Sequence, residues 1–503
     1  MFDYIVIVVT DDLDARELAR TSLRDDLLQN SIIVPVSESA WNGRAGNGLG
    51  TLFAIENASV AIGKDIIEGV KQGKSVLIVH TAGEGTRNIL TRTVKNKALI
   101  EVPNLTILEG VIKQFQDFAI PSRIMVTWGD QFLLFADSPE DIQNCAQKTH
   151  VMLFGLQTEL TAEIARNYGI QIVRSAKAEA ETKREGCELL DFEDSRSYEV
   201  AKMIAKKENG DLMVMVNMGM FTMSGIAAEC MRHAFSDALA AREGKFNSDE
   251  LWQSWIAPEY ETSLWLLERA DRVKTELSSL VPHLSSSSSS SSALIRSYPL
   301  SDRTIWVDFG TNESYYKSVM KLLDDDEAAC RLREFLGLDF DISPVTATAA
   351  GCGVSVSSSI YDSLFVSFEA GVVRNSVIVN SVARYAELEE ACVINSTLNR
   401  IKGKRCVIYN VVDDAELEVE DCFVVDVFHP VKGKIRLTMR IGAEKESKEK
   451  WWNTCLPGNE FALSEVAEML KSVSADEKED TKKRFETATV AKSKRLIDGN
   501  GNE

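Results

Sequence analysis

The chain has 503 residues, enough for two domains or for one large domain with appendages. Hydrophobic residues make up 45% and prolines number only 10, which describes a globular protein and excludes a disordered one. A formal charge of −20, from 56 basic against 76 acidic residues, argues against a general nucleic-acid or anionic-membrane surface. Any phosphate site must therefore concentrate its cations locally.

The amino terminus, MFDYIVIVV, has no basic n-region, and its apolar stretch is too short to span a membrane. Tyr4 to Val9 reads as a buried strand, and with no targeting signal in view the expected location is the cytosol. A helix-length segment, a short strand over Ile32 to Val36 and the turn Gly46-Asn47-Gly48-Leu49-Gly50 follow. That turn reads G-x-G-x-G and departs from the dinucleotide fingerprint G-x-G-x-x-G. Further apolar runs are Val76 to Val79, Ile124 to Thr127, Val151 to Phe154, Ile170 to Val173 and Leu212 to Val216. Such runs, separated by helix-length segments, predict an α/β protein with a Rossmann-like, mostly parallel sheet covered on both faces. Ligands of such sheets bind beyond the carboxyl ends of strands.

Ser285 to Ser292 form an unbroken serine run, expected as a flexible surface loop because serines cannot bury apolar surface. From about 350 to 430, apolar doublets recur at Val377-Ile378, Val393-Ile394, Val407-Ile408 and Val424-Val425, with Ile360 one step earlier. Their interval is close to the roughly 18-residue coil of a parallel β-helix, though an antiparallel β-domain fits the same texture. The expected organisation is a catalytic domain over 1–345, a parallel β-helix over 346–440 and a charged, partly helical tail over 441–503. Trp451 and Trp452 are expected to anchor the tail. The β-helix is expected to serve packing or a homo-oligomer and to carry none of the chemistry. Nine cysteines occur without a C-x-x-C pair, which fits a reducing compartment better than a thiol metal site.

The strongest signal lies at 79–100, VHTAGEGTRNILTRTVKNKALI. A strand leads into a turn with Gly83, Gly85, Thr86 and Arg87, and Lys97 follows ten residues after the arginine. Glycines let consecutive backbone N–H groups converge on an anion, and Arg87 and Lys97 add positive charge. A turn needing positive φ accounts for the glycines equally well. No G-x-x-x-x-G-K-[ST] occurs near it, which disfavours a P-loop NTPase.

These residues resemble the signature of the sugar-1-phosphate nucleotidyltransferases, the NDP-sugar pyrophosphorylases: a G-G-x-G-T-R loop, then a lysine within P-K-A-L. Ala82-Gly83-Glu84-Gly85-Thr86-Arg87 is similar to the loop, and Asn96-Lys97-Ala98-Leu99 to the lysine segment. Ile107-Leu108-Glu109 resembles the family's P-L-L-E, and Val126-Thr127-Trp128-Gly129-Asp130 its G-D metal strand. Asn217-Met218-Gly219-Met220-Phe221 is similar to its N-x-G-[IM]-[FY] block. Trp306-Val307-Asp308-Phe309-Gly310-Thr311 is similar to its W-x-D-x-G-T block, and the blocks stand in the family's order. A long segment precedes the loop, and its Gly48-Leu49-Gly50-Thr51-Leu52-Phe53-Ala54 resembles the L-fucose-1-phosphate guanylyltransferase and fucokinase-pyrophosphorylase group.

The resemblance implies a nucleotidyltransferase fold, often followed by a β-helix, and a reaction joining an NTP to a sugar 1-phosphate with release of pyrophosphate. In-line attack on the α-phosphorus needs no protein nucleophile, so catalysis rests on positioning and charge neutralisation. The implied nucleotide-binding loop is Ala82, Gly83, Glu84, Gly85, Thr86 and Arg87. Arg87 would stabilise pyrophosphate, and Lys97 would hold the attacking and α-phosphates together. Asp130 and Asp308 would share a Mg²⁺, converging from strands of one sheet. A turn-former after glycine is the bland account of Asp130. Glu193, Asn217 and Gly219 are implied at the sugar, while a buried strand-end amide describes Asn217 equally well.

Two departures stand out. The family's F-x-E-K-P is matched by Phe192-Glu193-Asp194-Ser195, with an acid in place of the lysine, and Asn88 stands where leucine is preferred. They keep open a second class, a non-catalytic or regulatory paralogue that binds nucleotide or sugar phosphate. His429 could serve as the base of a β-helix acyltransferase, but a structural role is expected. His80 is expected as a packed strand-end residue, and Met213, Met215, Met218, Met220 and Met223 as strand core. The expected partners are an NTP and a sugar 1-phosphate, with no nucleic acid and no membrane.

Overall fold

The computed structural model describes residues 1–20, 23, 30–83, 87–94, 96–157, 161, 168–174, 186–193, 212–256, 262–280, 294–338, 376–379, 385–388, 391–394, 396–404, 406–443 and 451–497. The serine run 285–292 and the earliest doublet, at Ile360, lie outside them. The chain forms two compact units. Met1–Ala82, Ile112–Gly129 and Phe135–Ile305 make the first, and Gly83–Val111, Asp130–Leu134 and Trp306–Glu503 the second.

In chain order the strands are β1 (Tyr4–Val9), β2 (Ile32–Ser37), β3 (Val76–His80), β4 (Glu101–Val102), β5 (Leu105–Thr106), β6 (Arg123–Trp128) and β7 (Gln131–Leu134). Next come β8 (Val151–Leu156), β9 (Ile170–Arg174), β10 (Glu188–Glu193), β11 (Leu212–Ser224), β12 (Ile295–Leu300) and β13 (Ile305–Asp308). The carboxyl-terminal strands are β14 (Ser376–Val379), β15 (Tyr385–Leu388), β16 (Ala391–Ile394), β17 (Thr397–Lys404), β18 (Cys406–Tyr409), β19 (Val412–Glu420), β20 (Cys422–His429) and β21 (Gly433–Arg440).

The first unit is built on a nine-stranded sheet of order β10-β9-β11-β6-β3-β1-β2, with β8 beside β11 and β12 beside β8. Every residue of β1 and β3 is buried, as YIVIVV and VLIVH demand with apolar side chains on both faces. β2, β1, β3 and β6 run parallel, in the registers Tyr4↔Ile32, Tyr4↔Val76 and Val76↔Ile124, and β12 runs parallel to β8. β11 is antiparallel to β6, β8 and β9, and β10 is antiparallel to β9. The sheet is thus mostly parallel, as the sequence predicts, with antiparallel pairings confined to β10 and β11. Helices cover it, among them Gly46–Ile62, whose inner residues from Gly48 to Ile55 are buried. Ser224 caps the helix Gly225–Ala234 by accepting from the Ala227 amide at 3.1 Å.

The run Leu212–Val216 does not end where its apolar pattern ends. β11 continues to Ser224 through the Asn217–Phe221 block, and Met215, Met218, Met220 and Met223 are buried in the core. Register with β8 shifts between Asn217 and Phe221, and within that gap Gly219 takes φ +68°. A Cβ on Gly219 would lie 2.0 Å from Nε1 of Trp128, so glycine is required there for both backbone and space.

In the second unit β7 and β13 form a two-stranded sheet of their own. The expectation that the two aspartates end strands of one large sheet is therefore corrected: Asp308 closes a short ribbon with β7, which begins just after Asp130. Further along, successive strands alternate between two sheets, β14-β16-β18-β20-β21 and β15-β17-β19. All these pairings are parallel except β20 with β21. The ladders are one residue out of step with the sequence doublets. Val377, Cys392, Val407 and Phe423 align, and so do Ile378, Val393, Ile408 and Val424. Cys392 thus takes an interior ladder position at full burial, where a small side chain fits. The helix Ala475–Ile497 packs on β17, β19 and β20, with Phe485 5.9 Å from Phe428. No described helix is long and apolar enough to cross a membrane.

Gly219→Ala should destabilise the first unit by about 1–3 kcal/mol, from positive-φ strain and a forced shift of the indole. The midpoint of denaturant unfolding checks this, and an unchanged midpoint would show that Trp128 moves aside freely.

Candidate functional site

The turn that follows β3 is held at its root. Thr81 bonds the Val8 carbonyl through its amide at 2.9 Å and its hydroxyl at 2.8 Å, while His80 Nε2 lies 2.8 Å from Thr51 Oγ1. His80 is buried, a packed strand-end residue. Ala82 and Gly83, the latter at φ +127°, open the implied nucleotide-binding loop. Glu84, Gly85 and Thr86 lie outside the described residues.

Arg87, Lys97, Asp130 and Asp308 all belong to the second unit, and there they come together. Phe309 donates its amide to the Asp130 carbonyl at 2.9 Å, which sets the end of β13 beside the start of β7. A methyl group built on Gly310 would lie 3.2 Å from Asp308 Oδ1, 3.5 Å from Asp130 Oδ2 and 3.7 Å from Arg87 Nη2. Two carboxylates and a guanidinium thus lie within 4 Å of one point beside the Gly310 backbone. Lys97 Nζ binds Asp130 Oδ2 at 2.6 Å, with each side chain 18% exposed. Asp308 Oδ1 accepts the Gly310 amide at 3.0 Å. Burial, reinforced by the Asp130 charge, raises the Asp308 pKa above the ordinary carboxylate range, against the lowering effects of the Gly310 amide, Ser314 and Arg87.

The backbone around Arg87 is tied to the same place by two asparagines. The Asn312 amide donates to the Arg87 carbonyl at 3.2 Å, and its Oδ1 accepts the Ile89 amide at 2.8 Å. Asn88 Nδ2 donates to the Phe309 carbonyl at 3.0 Å, and its Oδ1 accepts the Leu90 amide at 3.0 Å. Asn88, a departure when read as sequence, is therefore a buried clasp between the arginine segment and the Asp308 segment. Leucine could make neither bond. Asn312 follows Thr311, which caps the helix Asn312–Met320 in a reciprocal box with Ser314. The T-x-x-S spacing is a readable signal for that helix start; nothing in the sequence announces the clasp.

A magnesium ion fits what these residues offer. Mg²⁺ takes one or two protein carboxylates and fills its shell with phosphate oxygens and water. Asp130 and Asp308 supply two, and their mutual repulsion is the kind a cation relieves. Among the described residues no group of three or more His, Cys, Asp or Glu side chains forms an alternative metal site.

The implied sugar residues lie in the first unit. Asn217 is nearly buried, its Oδ1 accepting from Gln171 Nε2 at 2.9 Å, while Gln171 Oε1 accepts from Ser297. The amide is thereby oriented with its carbonyl side occupied. Gly219 lies against Trp128 as described above. Glu193 ends β10, its backbone paired with Ile170, and Asp194 lies outside the described residues. His429 Nδ1 accepts the amides of Val431 and Lys432, both at 3.1 Å, which makes it a turn-forming residue.

The carboxyl-terminal part reaches the cation-bearing segment directly. Arg92 stacks over Trp452 at 4.8 Å, Trp451 is buried, and Asn312 Nδ2 meets Met439 Sδ at 3.2 Å. The two tryptophans anchor their segment as expected, through the Arg92 contact of Trp452 and the burial of Trp451.

No protein-family model matches the chain, and no curated protein matches it. Among solved structures it is similar to the crystal structure of mannose-1-phosphate geranyltransferase from Thermus thermophilus, at 13% identity. The match covers 89% of this chain and 98% of that one, with a TM-score of 0.28. A likeness of that degree fixes neither substrate nor mechanism.

Two outcomes are expected at the carboxylates. Ionised Asp308 costs stability near neutral pH because its pKa is raised in the folded chain, so Asp308→Asn should raise the melting temperature in chelator-treated buffer. A lower melting temperature would contradict this. Lys97 competes with any cation for Asp130, so Lys97→Met should tighten Mn²⁺ binding several-fold, roughly 1 kcal/mol. Electron paramagnetic resonance of free Mn²⁺ measures it; equal or weaker affinity would show that the lysine is no competitor.

Proposed function

We propose that this protein is a sugar-1-phosphate nucleotidyltransferase, joining an NTP to a sugar 1-phosphate and releasing pyrophosphate. The observation that supports this most is the convergence of Asp130, Asp308 and Arg87 around Gly310, with Lys97 on Asp130. Those four residues come from separate sequence blocks, and one reaction needs them all.

In the proposed reaction an oxygen of the sugar phosphate attacks the α-phosphorus of the NTP, and the bond to pyrophosphate breaks in line. The chain's work is to position and to neutralise. Backbone N–H groups of Gly83 to Thr86 are assigned to the β- and γ-phosphates. Arg87 stabilises the leaving pyrophosphate. Lys97 exchanges Asp130 for the attacking and α-phosphates, holding the two reactants together. Asp130 and Asp308 would hold Mg²⁺, which when bound supplies Lewis-acid neutralisation of phosphate charge. Asn217, its carbonyl engaged by Gln171, offers its NH₂ to a sugar or ribose oxygen, and Gly219 and Glu193 are assigned to the same substrate.

Within this class, Gly48–Ala54 favours a relative of the L-fucose-1-phosphate guanylyltransferases. We also read 376–429 as turns of a parallel β-helix, supported by the alternation of parallel strands between two sheets. A non-catalytic paralogue is the second reading, and Asp194 in place of the family's lysine is what favours it.

The deciding experiment is pyrophosphate release from four NTPs against a panel of sugar 1-phosphates with Mg²⁺. Release with one pair supports the transferase. Tight binding of nucleotide or sugar phosphate without release supports the paralogue. Where turnover is found, Lys97→Ala and Arg87→Ala should each lower it by about 10² or more, the loss typical of one preorganised donor. Near-normal turnover in either variant removes that residue from the mechanism.

A further inference from the structure

Lys97 sits on a short 3₁₀ turn, Lys97–Leu99, with β4 one residue beyond it. β4 pairs only two residues with β5, Glu101↔Thr106 and Val102↔Leu105, too short a ribbon to be rigid by itself. Two tyrosines supply what the ribbon lacks. Tyr315 donates its hydroxyl to the Glu101 carbonyl at 2.7 Å. The Glu101 amide donates to the Tyr409 hydroxyl at 2.9 Å. Both backbone polar groups of one residue, four positions after Lys97, are thus held by phenols from distant parts of the chain.

The phenols are well fixed. Tyr315 is fully buried and Tyr409 is 2% exposed, and their rings meet edge to face at 6.4 Å and 84°. Tyr315 also packs on Phe423 of β20 and on Phe309, the residue beside Asp308. Burial drives both phenols well above their ordinary pKa, so they stay protonated. Tyr315 stands on the helix whose first residue, Asn312, binds the Arg87 segment. Tyr409 ends β18 in the parallel sheet. A buried hydroxyl needs a partner, and phenylalanine would fill the same space with no such need.

We infer that Tyr315 and Tyr409 are positioning residues for Lys97: their hydroxyls clamp Glu101 and so set where the lysine amine reaches. The carboxyl-terminal sheet thereby fixes part of the cation geometry. The inference rests on the proposed role of Lys97 only for its kinetic consequence; the clamp can be read without turnover.

The test uses the full chain with Tyr409→Phe and, separately, Tyr315→Phe, which remove one hydroxyl and keep the ring. Three measurements are made: hydrogen exchange of the 97–102 amides, the rate of acetylation of each lysine by an N-hydroxysuccinimide ester, and pyrophosphate release. Exchange at Glu101 should rise at least tenfold in Tyr409→Phe, and acetylation of Lys97 should rise several-fold while other lysines are unchanged. Turnover should fall about tenfold with little change in KM, and the loss should vanish in a Lys97→Ala background. A purely structural tyrosine would give equal losses in both backgrounds. The inference is overturned if neither variant alters Lys97 acetylation, or if the kinetic losses are additive. If the wild-type protein releases no pyrophosphate with any pair while Lys97 reactivity responds as expected, the transferase reading fails and the clamp stands.

Discussion

The hydrogen bond from the Phe309 amide to the Asp130 carbonyl is the tie on which the candidate site depends. It joins two chain segments that are far apart in sequence and each only a few residues long. Once joined, they place one carboxylate from each beside the open face of Gly310, and Asn88 and Asn312 bring the Arg87 segment to the same place. Every one of these links runs through backbone groups. Side-chain chemistry at the site is therefore mounted on a frame of hydrogen bonds to main-chain groups, two of them made by asparagine side chains, because a buried unpaired amide or carbonyl is costly.

The electrostatics follow from that frame. Asp130 and Asp308 repel each other, and burial makes the charge on Asp308 harder to carry. Lys97 answers for one of them at 2.6 Å, and Arg87 stands near the same small space at Gly310. The arrangement thus pairs one ion-paired carboxylate with one whose charge burial disfavours. Sites that store such tension commonly do so for function.

Much of this was legible in the residues. β1, β3 and β6 could be read because their apolar runs are continuous and of strand length, and β8 and β9 for the same reason. The apolar run of β11 stops at Val216, and only the methionines Met218, Met220 and Met223 mark its second half as strand core. Beyond Val216 it carries Asn217, Gly219 and Thr222, and a polar residue or a glycine looks like an ending when the neighbours that satisfy it are unknown. Asn217 is satisfied by Gln171, and Gly219 is fitted to Trp128, neither of which pattern can reveal. Arg87 and Lys97 stand out beside a glycine-bearing turn, while Asp130 and Asp308 are expected only from the family resemblance of their blocks. Their mode of approach was not legible, because β7 and β13 are too short to announce themselves and pair with each other. Nothing in the sequence singles out Tyr315 or Tyr409, whose hydroxyls meet the backbone of one residue only in the fold.

The second unit is assembled from three separate pieces of chain, Gly83–Val111, Asp130–Leu134 and Trp306–Glu503. During synthesis the first two emerge long before the third. Until Asp308, Phe309 and Asn312 leave the ribosome, Asp130 has no ribbon partner and the Arg87 segment has no Asn312 to hold it. A nascent chain that stops short of Asp308 lacks one carboxylate of the cluster and the tie that places the other. Contacts between residues so far apart in sequence form late, since loop closure comes before any reward. The protein thus completes its candidate cluster only once synthesis has passed Asn312, well after Arg87, Lys97 and Asp130 have been made.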